Sequence, residues 1–202
     1  MMLSLSNTKL VKTGKLHNGV VAAFDLPAGQ TCPYAGACKN GCYAHGFTFK
    51  MNADKYANNY AVSQTNKFNE LMSAEISKLC STYKHVYIRL HSSGDFYSRE
   101  YLAKWLVIIR SFPDVQFYCY SKSVGMLKSC DIPSNFTVTY SYGGMQDMLI
   151  KDTDNNARVF KNEEDCLKAG YTIANNDDLI MLTHGKVGLI YHGSKKFENT
   201  EW

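Results

Sequence analysis

The chain has no long apolar run, no low-complexity tract and no fixed-period repeat. Its longest apolar stretches, such as Trp105-Leu106-Val107-Ile108-Ile109, fall far short of the roughly 20 residues that cross a bilayer, so no membrane association is expected. The N-terminus lacks the basic start, apolar middle and small-residue cleavage site of a secretory signal, and a reducing, cytoplasmic setting is the expectation. In such a compartment the seven cysteines, an odd number, read as ligands and buried thiols rather than as a disulfide framework. No long basic run accompanies the net charge of +4, so composition alone argues only weakly for a nucleic-acid surface. Also missing are G-x-G-x-x-G, the P-loop lysine, H-E-x-x-H and G-x-S-x-G, which leaves nicotinamide, nucleoside triphosphate, zincin and esterase chemistry without a motif.

What is present is an ordinary globular composition, 45% hydrophobic and 20% charged over 202 residues, enough for one domain (1–202) with a sizeable core. Strand-length apolar runs alternate with helical patterns, the signature of an α/β fold with a mainly parallel sheet. Strands are expected at 20–24, 86–91, 116–121, 136–141 and 157–160. Two further runs, 179–183 and 187–192, joined across His184-Gly185-Lys186, read as a C-terminal hairpin at about 179–192. A long helical stretch, broken in its middle, is expected from about Asn52 to Tyr83, and a second helix opens at Ser98 and stops before Pro113.

Between the first strand and the long helix, residues 25–51 are too many for a mere turn. They carry Cys32, Cys38 and Cys42 within eleven residues, interleaved with Pro, Gly and Asn. Three thiols in such a loop have no packing rationale, and soft thiolates select iron–sulfur clusters or zinc. His45 would complete a tetrahedral zinc site, whereas three cysteines alone would leave one iron of a [4Fe–4S] cluster open to a small molecule. Cys80, Cys119, Cys130 and Cys166 read as ordinary buried or isolated thiols.

Strand exits carry the other candidates, because ligands bind at the C-terminal ends of strands in barrels and in open α/β sheets. The exit Arg89-Leu90-His91-Ser92-Ser93-Gly94-Asp95 crowds an arginine, a histidine and a carboxylate into one turn, and Lys122 follows the next strand. At the fourth exit, Ser141-Tyr142-Gly143-Gly144, glycines would let a ligand approach the backbone. His192, where the last strand runs out, reads more simply as an edge histidine.

Taken together, Leu26-Pro27-Ala28-Gly29-Gln30-Thr31-Cys32-Pro33, Cys42-Tyr43-Ala44, Arg89-x-His91-x-x-Gly94-Asp95-Phe96, Phe117-Tyr118-x-Tyr120-Ser121-Lys122-Ser123, Ser141-Tyr142-Gly143-Gly144, Ala157-Arg158-Val159-Phe160 and Tyr191-His192-Gly193 resemble the phage gene product 88 family. The resemblance covers nearly the whole chain and implies a phage-encoded protein of the host cytoplasm. A more distant likeness is to radical S-adenosylmethionine enzymes, in which three cysteines after the first barrel strand hold a [4Fe–4S] cluster. It implies a partial or six-stranded (β/α) barrel with Cys32, Cys38 and Cys42 as cluster ligands. The cofactor would lie against Tyr43, Ser93, Gly94, Asp95, Gly143 and Gly144, with Asp95 in the place of the motif that binds its amino group. The spacing here is C-x5-C-x3-C where those enzymes usually have C-x3-C-x2-C, and the aromatic Tyr43 follows the last cysteine instead of preceding it.

The leading expectation is therefore a radical S-adenosylmethionine-like enzyme with Arg89, His91, Asp95 and Lys122 as catalytic or substrate residues. Its substrate would be DNA, RNA or a nucleotide, and it would need an electron donor. The rivals are a zinc-stabilised base-exchange transglycosylase with Asp95 as nucleophile, and a metal-organised nucleic-acid or protein binding module.

Overall fold

In the computed structural model the described residues are 1–174 and 177–191, with the side chains of residues 45 and 48 outside the description. Seven strands make one sheet, β1 Val20–Phe24, β2 Val86–Leu90, β3 Gln116–Ser121, β4 Phe136–Ser141, β5 Asn156–Phe160, β6 Thr172–Ile173 and β7 Lys186–Ile190. Their order is β1-β2-β3-β4-β5-β7-β6, and every pairing is parallel. The sheet curls into a half-barrel, the partial barrel expected, with seven strands rather than six.

Parallel neighbours need crossovers, and helices supply those between the early strands. The long helical stretch is two helices, α3 Ala53–Ser63 and α4 Phe68–Thr82, preceded by the short α2 Phe47–Met51. The helix opened by Ser98 is α5 Arg99–Ser111, whose N-cap serine accepts a hydrogen bond from Tyr101 N. Four helices were not expected: α1 Thr8–Leu16, α2 within the loop 25–51, α6 Val124–Lys128 and α7 Glu163–Lys168. Asn162, followed by Glu163-Glu164-Asp165, is a legible start signal for α7, and the Asn162 side chain accepts from Asp165 N. Asn7 caps α1 in the same way, but Gly14 and two threonines weaken its intrinsic helix signal.

Strand alternation divides the sheet into two faces. Ala22, Phe24, Ile88, Leu90, Phe117, Cys119, Phe136 and Tyr140 point outward into a core with Phe68, Met72, Ile76, Tyr101, Leu102 and Trp105 of α4 and α5. The inner face carries Val21, Ala23, Tyr118, Ala157 and Val187, covered by Leu10 of α1 and by Leu179 and Met181.

That second core explains why the expected C-terminal hairpin is replaced. The hairpin at about 179–192 does not form among the described residues. Ile180–Leu182 is a 3-10 turn, and β7 lies parallel between β5 and β6. A strand over 179–183 would hold its apolar side chains along a sheet edge, whereas the turn delivers Leu179 and Met181 to the inner core with 2% and 1% of their surface exposed.

Candidate functional site at the strand exits

The cysteine loop leaves β1 and lies across the exits of β2, β3 and β4. Two short stitches hold it there: Cys38 N donates to Gly143 O, and Ala35 forms an isolated antiparallel bridge with Gly144 while Met145 N donates to Tyr34 O. Close approach makes glycine necessary. A Cβ on Gly36 would lie 3.0 Å from Gly143 O, and one on Gly144 would lie 3.1 Å from both Tyr34 O and the Lys122 Cβ.

The turn after β2 completes the seat of the loop. Ser93 N donates to Asp25 Oδ1, Ser93 Oγ to Leu26 O, and Asp95 N to Thr31 O. Gly94 has φ +84°, and a Cβ there would meet the Leu26 Cβ and Thr31 Oγ1 at 2.6 Å. The signature Ser93-Gly94-Asp95 thus fixes where the cysteine loop begins.

Asp95 is buried and fully engaged. Its Oδ1 accepts from Ser121 Oγ at 2.6 Å and from Phe96 N at 2.7 Å, and its Oδ2 accepts from Lys122 N at 2.8 Å. Burial pushes its pKa up, and these donors act in the opposite direction. Such a carboxylate is held as a bracket between the β2 and β3 exits, which suits positioning better than attack as a nucleophile. Gly143 N and Gly144 N likewise already donate to the Asp147 carboxylate, at 2.8 and 2.9 Å.

The three thiols share this rim. Burial pushes Cys32 up to about 11, and the charges of Asp95, Cys42 and Cys38 act in the same direction. Cys38 is also raised by burial, opposed by the Lys122 ammonium. The three cysteines are therefore close enough to influence one another, with a lysine beside them. Among the described residues no three His, Cys, Asp or Glu side chains are grouped tightly enough to surround a single metal ion. The side chain of His45, the expected fourth zinc ligand, lies outside the described residues, as does His192. Cys119 and Cys166 are buried, Cys130 is half-buried and Cys80 is exposed.

The remaining expected residues separate by face. His91 has φ +67°, which turns its ring outward among Phe24, Phe96 and Tyr101. Its Nε2 shares a 2.8 Å hydrogen bond with Tyr101 Oη, its Nδ1 has no partner, and burial lowers its pKa to about 3. It is a neutral core histidine, away from the inner face. Arg89 faces inward: Nη1 donates to both oxygens of Asp178 at 2.9 Å, and its guanidinium lies 5.5 Å from the Tyr120 ring centre. Lys9 also pairs with Asp178, and Tyr118 Oη donates to it. Burial would raise the Asp178 pKa, but the Arg89 and Lys9 charges hold it below the usual carboxylate value. Lys122 Nζ donates to Ser141 Oγ at 2.7 Å. The Tyr43 ring is largely exposed while its hydroxyl reaches in to donate to Ser92 O.

Sequence reasoning missed Asp25 and Asp178. Asp25 had a signal, being a carboxylate directly after β1 and before the cysteines. Asp178 had none, because Asn175-Asn176-Asp177-Asp178 reads as a polar turn, and its partners on β2, β3 and α1 become visible only once folded.

These features define a class, a parallel half-barrel α/β protein with a cysteine-bearing loop closing over its strand exits. The chain belongs to the phage gene product 88 family, whose pattern, described as Gene product 88, matches residues 1–198. It is 31% identical over 132 residues to the gene 88 protein of Mycobacterium phage D29, an alignment covering 56% of this chain and 52% of that protein. The gene 88 protein of Mycobacterium phage L5 is 32% identical over the same length and shares. The chain thus spans about half the length of these curated relatives. No solved structure matches. Among the described residues no helix is long and apolar enough to cross a membrane.

Proposed function

We propose that this protein carries a [4Fe–4S] cluster on Cys32, Cys38 and Cys42 and acts as a radical S-adenosylmethionine-like enzyme on a nucleic acid or nucleotide. The observation that carries the reading is the convergence of three mutually interacting thiols at the C-terminal rim of a parallel half-barrel, beside Lys122. Cys32, Cys38 and Cys42 would hold the cluster, which when bound would supply an electron from an external donor for cleavage of the sulfonium C5′–S bond of S-adenosylmethionine, giving methionine and a 5′-deoxyadenosyl radical.

The chain's own residues have supporting roles in this reading. Ser93, Gly94 and Asp95 act as positioning residues that fix the loop's start and the β3 exit. Lys122, facing Cys38 and Ser141, places a positive charge between the thiols and the inner face. Tyr43 closes the rim beside Cys42 through Ser92.

The test is purification without oxygen, followed by the visible spectrum and by iron, sulfide and zinc analysis. Broad absorption near about 400 nm that dithionite bleaches, with about four irons per chain, is the expected result. Incubation with dithionite and S-adenosylmethionine should then yield 5′-deoxyadenosine. A colourless protein with about one zinc per chain overturns the proposal.

A further inference from the structure

The inner face of the sheet changes character along the strands. Its lower half is filled by Leu10, Val21, Ala23, Leu179, Met181 and Val187. Toward the strand exits the same face carries Arg89, Tyr120, Thr139 and Ser141. Their outward-facing neighbours Leu90, Cys119, Val138 and Tyr140 all belong to the opposite core. Thr139 pairs in register with Tyr120, the ring over which Arg89 lies, and Lys122 follows two residues beyond Tyr120. The patch runs about 13 Å along the strands, from the level of Arg89 to that of Lys122 and Ser141, and about 10 Å across three of them.

Three donors in this patch are incompletely paired. Thr139 is fully buried and its Oγ1 has no hydrogen-bond partner, and neither has the buried Arg89 Nε. Lys122 Nζ, half-buried, has Ser141 Oγ as its partner and forms no ion pair among the described residues. Buried polar atoms in native proteins are nearly always satisfied, so unpaired donors sharing one face indicate a partner that arrives with a ligand.

We infer that Arg89, Lys122, Thr139 and Ser141 form a phosphate subsite on the inner face, which takes the phosphomonoester of a small ligand. Donors from three strands suit a tetrahedral group with three free oxygens better than a planar carboxylate. Charge agrees: Lys9 and Arg89 share the single carboxylate of Asp178, which leaves one positive charge in excess in that group. The nucleotide as carrier rests on the proposed function, but the phosphate subsite does not depend on the cluster.

The test is calorimetric titration of the intact protein with inorganic phosphate, thymidine 5′-monophosphate and thymidine, with metal content measured on the same samples. Phosphate and the nucleotide should bind, and thymidine should bind at least about tenfold more weakly than the nucleotide. Lys122→Gln should weaken nucleotide binding about tenfold. Thr139→Val should weaken it about threefold while leaving the melting temperature unchanged or raised, because it removes an unpaired buried hydroxyl. Equal binding of thymidine and its monophosphate, no binding of either phosphate species up to about 10 mM, or unaltered binding in both variants would overturn the subsite. Zinc in place of iron in those samples would sink the proposed function and leave the subsite standing.

Discussion

At the residue scale, conformation and protonation state distinguish positions that look alike in the sequence. His91 and Lys122 both sit at strand exits, yet φ +67° sends the His91 ring outward into the aromatic core. Its pKa of about 3 lies below the ordinary value of 6.5, so between those limits the unfolded chain binds more protons than the folded one. Stability should therefore rise with pH over that window, and be lost as pH falls through it. Asparagine tolerates a positive φ, so His91→Asn should flatten the fall in melting temperature between pH 6.5 and 4.5 relative to the wild type. Equal slopes would refute the assignment. Gly94 is the second such residue. Gly94→Ala places a Cβ 2.6 Å from Leu26 and Thr31 at a positive φ, and should cost about 2 kcal/mol or more in denaturant unfolding.

At the element scale, the cysteine loop is held by contacts to strand exits rather than by secondary structure of its own. Cys38→Ala removes one thiol and leaves Cys38 N free to donate to Gly143 O. The expected outcome is loss of the visible chromophore and most of the iron, with a folded, near-wild-type circular dichroism spectrum. Loss of the fold together with the metal would instead favour a structural zinc module. Asp95→Asn exchanges an acceptor for a donor opposite Ser121 Oγ or Lys122 N, and should disturb the β3 exit. Its signature is lower iron occupancy and a melting temperature reduced by the equivalent of about 1–3 kcal/mol. Most of the elements were legible: β1 to β5, α4 and α5 announce themselves through apolar periodicity and a serine cap. The failures have local causes. Gly14 dilutes the α1 signal, and Leu179–Thr183 is apolar enough for a strand but too short for periodicity to separate a strand from a 3-10 turn.

At the scale of the whole molecule, the half-barrel is closed on its inner side by chain segments far apart in sequence. Asp178 joins Lys9 of α1, Arg89 of β2 and Tyr118 of β3. Asp178→Ala leaves the mostly buried Arg89 without its counter-ion and should cost about 3–5 kcal/mol, measured by denaturant unfolding. A loss below about 1 kcal/mol would show that solvent replaces the carboxylate easily. The amino-acid sequence by itself determined the α/β class, the parallel alternation and the three-cysteine loop, because periodicity and ligand-type spacing are properties of neighbouring residues. It also determined the family. Only the tertiary structure decided that Asp95 and the Gly143-Gly144 amides are already engaged, that His91 belongs to the outer core, and that Arg89, Lys122, Thr139 and Ser141 share one inner face. Those facts depend on strand register, on the sign of a single φ angle and on partners up to 89 positions away, none of which a local pattern encodes.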